Sequence, residues 1–178
     1  MGDSDIMTAI AVPVPEAEPL VGAWRSKHDP SGAWGMQPHV TLLVPFRRPK
    51  DVNDALLAEL GALFAEMPSF TCRFEKTARF PGVLYLAPEP RERFLAMTDR
   101  LVARYPEYPP YGGAYKRVVP HLTVLDDCAD CLCTRVAARL EEGLPLEAEI
   151  TEVLLLEGSN ASPGWTRRAS FPLGLATA

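Results

Sequence analysis

The sequence predicts an α+β fold made of two related halves, and three observations carry that expectation. Strand-like and helix-like patterns alternate along the 178 residues without a solenoid period. Prolines, 18 in all, cluster at the ends of those patterns, where they stop one element and admit the next. Finally, Pro38-His39-Val40-Thr41-Leu42-Leu43 returns as Pro120-His121-Leu122-Thr123-Val124-Leu125, each time opening a strand that precedes a helix. The length fits one domain over 1–178, with 1–6 expected to be flexible.

Residues 8–14 are β-rich and read as the first strand, followed by a helix from Glu16 to about Lys27 that the Asp29-Pro30-Ser31-Gly32 turn closes. A second strand runs from His39 to Phe46. The next helix takes Asp51 as N-cap, puts Leu56, Leu57, Leu60, Leu63, Phe64 and Met67 on one face, and ends at Pro68. Residues 69–80 and 83–88 flank Pro81-Gly82 as a hairpin. Pro90 suits the first turn of a helix that buries Phe94, Leu95, Leu101 and Val102. After an aromatic loop, Tyr108 to Gly113, come a strand (118–125), a helix (129–142) and two strands (149–156 and 168–173). That makes roughly seven strands and four helices.

Composition excludes several function classes. A net charge of -5 and a pI near 5.2 argue against a broad polyanion-coating surface, which needs Lys and Arg clusters to displace counterions. No stretch approaches the roughly 20 apolar residues of a membrane helix, and the acidic N-terminal segment does not read as a signal peptide. Four unevenly spread cysteines do not make a disulfide scaffold, so the expected setting is the reducing cytoplasm.

The repeated segment is the chemical signal. In a strand, alternate side chains share a face, so His39 and Thr41 point one way and Val40 and Leu42 the other; His121 and Thr123 behave alike. Facing strands would present two imidazoles and two hydroxyls. One neutral imidazole could take a proton from an attacking oxygen, the opposite imidazolium could protonate a leaving oxygen, and the threonines could hold non-bridging phosphate oxygens. Histidine suits both roles because its unperturbed pKa of about 6.5 populates both forms near neutrality. Two histidines are too few for zinc without further ligands, and neither motif supplies one, so no metal or other cofactor is expected.

The paired His-x-Thr motifs, the extended Pro-His-Val-Thr-Leu-Leu-Val-Pro-Phe around the first and their separation of 82 residues resemble the 2H phosphoesterase superfamily, in particular its 2'-5' RNA ligase-like branch. The resemblance covers nearly the whole chain. It implies a bilobal, duplicated sheet-and-helix fold with a pseudo-twofold central cleft. It also implies metal-independent chemistry on 2',3'-cyclic or 2'-5' phosphodiester linkages, with His39, Thr41, His121 and Thr123 at the four motif positions. The expected function is hydrolysis of 2',3'-cyclic phosphate RNA ends or small cyclic nucleotides. A 2'-5' RNA ligase and a non-catalytic nucleotide- or RNA-binding module are the alternatives. The expected partner is a small cyclic nucleotide or an RNA terminus, with no membrane, and the expected state is a monomer.

Further candidates flank the motifs. Lys116 and Arg117, or Arg47 and Arg48, could supply positive potential to a phosphate; Trp34, Tyr111 and Tyr115 could stack a base. Each pair of cations also reads as solvated loop charge, and each aromatic as packing. Trp165, Arg167 and Arg168 could form a nucleotide rim or an ordinary loop, and His28 reads as a surface residue at a helix end. Cys128, Cys131 and Cys133 at a helix start read either as a thiol or metal site, which Asp126, Asp127 and Asp130 oppose, or as incidental cysteines.

Overall fold

The first strand, β1 (Met7–Pro13), is buried on both faces, and that double burial explains the layering. Ile10 and Val12 join the main core, while Ala9 and Ala11 join a second, smaller cluster on the opposite face. In the computed structural model, which describes residues 6–161 and 164–175, the elements that follow are α1 (Glu18–His28), α2 (Pro30–Ala33), β2 (His39–Leu43), α3 (Asp54–Ala65), β3 (Phe70–Phe80), β4 (Val83–Glu89) and α4 (Arg91–Arg104). They are completed by β5 (Leu122–Leu125), α5 (Asp130–Glu141), β6 (Leu146–Ile150), β7 (Glu152–Gly158) and β8 (Thr166–Pro172). The flexibility expected of 1–6 falls, Ile6 apart, outside the described residues.

Two four-stranded antiparallel sheets result, in the orders β2-β1-β7-β8 and β5-β4-β3-β6. The α+β expectation holds. Each histidine strand is an edge strand, paired with the strand that precedes it across a helix: β1-α1-β2 in one lobe, β4-α4-β5 in the other. One main core serves both sheets, drawing Val40 and Leu42 from the first and Leu84, Leu86, Leu122 and Val124 from the second. Leu56, Leu60 and Phe64 of α3, Phe94, Met97 and Leu101 of α4, and Cys133, Val136 and Leu140 of α5 enter it at helical spacing.

The helices cross between lobes. Helix α1 packs on β5 and α4 on β2, so each histidine strand is backed by the helix of the other half. Thr98 of α4 donates its hydroxyl to the Leu42 carbonyl at 3.2 Å, and the Asp126 amide donates to the His28 carbonyl at 2.7 Å.

Several boundaries differ from expectation for identifiable reasons. The single strand expected over 149–156 is two strands broken at Thr151, where the chain leaves one sheet and enters the other. Asn53, not Asp51, caps α3, its side chain accepting from the Leu56 amide at 2.9 Å, while Asp51 sits in a preceding 3-10 turn. The Asp29-Pro30-Ser31-Gly32 turn is a short helix whose N-cap is Asp29. Pro90 is the N-cap of α4 rather than part of its first turn. Residues 118–121 lie before β5 rather than in it.

Candidate active site

The two motif segments are built alike. Val40 and Leu42, like Leu122 and Val124, are buried in the core, which turns His39, Thr41, His121 and Thr123 to the opposite side. The ladder slips at the same place in both lobes. Ala11 pairs with Thr41 but Ile10 with Leu43, and Tyr85 pairs with Thr123 but Leu84 with Leu125. The residue after each threonine, Leu42 or Val124, is thus an extra one, a bulge of the kind that re-aims neighbouring side chains.

Each imidazole carries the same backbone hydrogen bond. His39 Nδ1 donates to the Gln37 carbonyl at 2.7 Å, and His121 Nδ1 donates to the Val119 carbonyl at 2.7 Å. A carbonyl can only accept, so the proton of the neutral ring is held on Nδ1 and the Nε2 lone pair is left for other chemistry. Strands β2 and β5 lie in contact across the two sheets, bringing the motifs together.

Both histidines are harder to protonate than a free imidazole. Burial pushes His39, 8% exposed, down to about 4, helped by the Arg25 guanidinium and by His121, and opposed by the Gln37 carbonyl and Asp29. Burial also lowers His121, against the Val119 carbonyl, Asp126 and Asp29. A cation and a carboxylate therefore act on His39 in opposite directions, while two carboxylates act on His121 in one. A phosphate anion arriving between them would favour the imidazolium form of either.

The walls of the cleft are unlike one another. Beside His121, a cavity of about 530 Å³ is lined by Phe80, Tyr111, Tyr115, Arg117, Thr123 and Asp126 among others. Phe80 and Tyr85 meet the His121 ring edge-on at 5.2 and 5.5 Å, and Tyr111 lies nearly parallel to it at 6.5 Å. Tyr111 adopts a left-handed backbone (φ 54) and donates its amide to the Val44 carbonyl at 2.6 Å, tying the aromatic loop to the end of β2. Burial holds its phenol at about 12. On the His39 side, the row through Thr41 continues into Ala11 and Leu154; Ala9, Leu156 and Met36 complete a small apolar patch against which the Trp165 indole packs. Ala11 stands where the other lobe has Tyr85.

Of the other sequence candidates, Tyr115 and Arg117 are in the aromatic wall, and Lys116 between them is exposed. Trp34 is 41% exposed and its carbonyl accepts from the Trp165 amide at 2.7 Å. Arg47 is caged by Phe46, Tyr105 and Tyr108, and Arg48 pairs with Asp51, which is the structural reading of that pair. Trp165 reaches Asn160 with its indole N–H, while Arg167 and Arg168 lie on β8, the edge strand farthest from β2. His28 ends α1 half-buried and stacks on Trp24. Cys128 and Cys133 are joined as a disulfide, contrary to the expectation of unbonded cysteines, because the first turn of α5 brings them to 6.5 Å between Cα atoms. Cys131 is free and exposed. Among the described residues no three His, Cys, Asp or Glu side chains converge as a metal site.

Phe80, Tyr85, Asp126 and, above all, Arg25 join the site although no motif in the sequence marks them as site residues. Arg25 is 2% exposed and paired with Asp29 at 2.7 Å. Its only sequence trace is the i, i+4 spacing of the pair across a helix end.

Known proteins resemble the chain throughout. A family model described as the 2'-5' RNA ligase superfamily matches residues 12–161. A Bacillus licheniformis protein named "Putative phosphoesterase" is 25% identical over 170 residues, covering 93% of this chain and 96% of that one. A Bacillus pumilus protein of the same name is 28% identical over 128 residues, 68% of this chain and 70% of that one. Among solved structures, TT0787 of Thermus thermophilus shares the fold with a TM-score of 0.65 at 21% identity, covering 96% of this chain and all of that one. E. coli LigT complexed with 3'-AMP does so with a TM-score of 0.61 at 18% identity, covering 96% and 99% of the two chains.

Proposed function

The chain belongs to the 2'-5' RNA ligase superfamily, and from that premise we propose that it is a metal-independent phosphodiesterase acting on 2',3'-cyclic phosphate RNA ends or small cyclic nucleotides. The observation that carries the reading is the matched pair of Nδ1-to-carbonyl bonds on His39 and His121, which leaves one Nε2 in each lobe for proton transfer. Thr41 and Thr123, two residues beyond each histidine, hydrogen-bond the non-bridging phosphate oxygens. Arg117 and Tyr115 line the entrance, and Lys116 and Trp34 are further candidate contacts. The names of the two Bacillus relatives, and the 3'-AMP, phosphate and ATP found with LigT, support a phosphate ester as ligand.

With water as nucleophile the outcome is hydrolysis; with a ribose hydroxyl in its place the same site forms a phosphodiester, the ligase reading that the family's description favours. We treat the two lobes as one bilobal, monomeric domain working in the cytoplasm. Among the described residues no helix is long and apolar enough to cross a membrane.

The test is turnover of 2',3'-cyclic nucleotides in EDTA. Activity is expected to persist with the chelator and to fall by about 10² or more in His39→Ala and in His121→Ala. Chelator-sensitive turnover, or full activity in both variants, would sink the mechanism, and tight binding without product across a broad panel would favour the binding module.

A further inference from the structure

We propose that Arg25 is a positioning residue for the two-histidine site, a single buried cation that ties the strand of His39 to the strand of His121 and makes His39 the proton-accepting partner. The inference deepens the two-histidine reading above and rests on it.

Arg25 sits in the last turn of α1. Its Nη1 donates to the Thr123 carbonyl at 2.6 Å, and its Nη2 to the Met36 carbonyl at 3.1 Å and the Ser31 hydroxyl at 3.4 Å. Thr123 is the second threonine of the repeat, and Met36 precedes Gln37, whose carbonyl holds the His39 ring. One guanidinium therefore grips backbone within a few residues of each imidazole. Asp29 pairs with it and is itself fixed by the Ser31 amide and hydroxyl at 2.9 and 2.8 Å. Helix α2 seals the group: a Cβ at Gly32 would lie 2.9 Å from Arg25 Cβ and 3.0 Å from its carbonyl oxygen.

Burying a guanidinium is costly, and an aliphatic side chain would fill the same place without that cost. What the guanidinium adds is a planar fork able to serve several acceptors at fixed angles, which an ammonium cannot reproduce. It also adds charge. Arg25, Asp29 and His121 act on His39; Asp126 and Asp29 act on His121, whose ring also faces Tyr85 and Tyr111 and shares its cavity with Tyr115 and Arg117; Glu18 acts on Arg25 itself. Arg25 favours neutral His39 and outweighs Asp29 there, while Asp126 and Asp29 both favour a proton on His121.

In the reaction, the nucleophile's O–H bond breaks and its proton passes to His39 Nε2 as the new P–O bond forms. The P–O bond to the leaving ribose oxygen breaks, and that oxygen takes the proton of His121 Nε2. The products are protonated His39 and neutral His121, which exchange with solvent.

Three variants test this: Arg25→Lys, Arg25→Met, and Arg25→Met with Asp29→Asn, the last removing the buried pair together so that no lone carboxylate threatens folding. Arg25 acts on His39 more strongly than Asp29 does. The double variant should therefore move the acidic limb of kcat/KM upward by about one pH unit and raise the NMR titration of His39 alike. Arg25→Lys should keep the limb and lose about tenfold in kcat, because the fork is gone. Falling kcat with an unmoved limb and an unmoved His39 titration would reduce Arg25 to structure alone and overturn the proposal, as would an upward shift that falls on His121 instead of His39; the loss of Asp29 by itself lowers His121. The titration needs no substrate, so it decides the matter even if the phosphodiesterase reading fails.

Discussion

His39 and His121 each donate Nδ1 to the carbonyl of the residue two positions earlier, at the same 2.7 Å, although they lie in different lobes. The bond is possible because neither Gln37 nor Val119 is in a ladder, so each carbonyl is free for a side chain.

Stability should fall on acidification through these rings. His39 is lowered from about 6.5 to about 4 in the folded chain, so between those values the unfolded chain binds the extra proton and folding weakens as pH drops. The loss amounts to about 3 kcal/mol, complete below pH 4. His121 contributes with the same sign. Urea unfolding at several pH values should show a slope over pH 4–6.5 that is shallower in His39→Gln; an equal slope in wild type and variant would refute the assignment.

Tyr111 should matter to binding more than to turnover. Its left-handed backbone costs roughly 1–2 kcal/mol, and the fold retains it with the ring held over His121 and against Tyr115. Tyr111→Ala is expected to raise KM for a cyclic nucleotide about tenfold with kcat changed less than about threefold. Steady-state kinetics read this directly, and a fall confined to kcat would remove the ring from the binding wall.

The cysteines divide into three behaviours. Cys72 is buried and its thiol is pushed up to about 12, so it should resist alkylation until the chain unfolds. Cys131 should react at once, and Cys128 and Cys133 only after reduction. Mass spectrometry of alkylated peptides distinguishes them. Changing Cys128, Cys131 and Cys133 together to Ser should leave turnover intact; loss of activity would return a role to the cluster.

The candidate catalytic residues were legible because they obey a local rule twice. Alternation assigns Val40 and Leu42 to a core and His39 and Thr41 to a cleft, and the second copy repeats the assignment. The helices were legible for the same reason. The break at Thr151 was not, since Glu149–Leu156 is uniformly β-forming and only tertiary structure decides that β6 and β7 join different sheets. Arg25 was invisible because a cation in the last turn of a helix reads as surface charge; its burial comes from contacts to Thr123 and Met36, far from it in sequence or beyond a helix. Tyr85 reads as ordinary hairpin packing until its pairing with Thr123 places it on the cleft face.

On the phosphodiesterase reading, the contrast between Ala11 and Tyr85 bears on which ester bond is cut. The four motif side chains repeat under the pseudo-twofold, so a cyclic phosphate held by them alone, without the charge difference that Arg25 makes between the histidines, could enter in either of two orientations and open toward O2' or O3' equally well. Phe80, Tyr85, Tyr111 and Tyr115 crowd one side of that axis; Ala9, Ala11, Leu154 and Leu156, with Met36 and the Trp165 indole against them, form the other. On that reading regiochemistry falls to the walls, so a change confined to them would alter the product and leave His39, Thr41, His121 and Thr123 as they are.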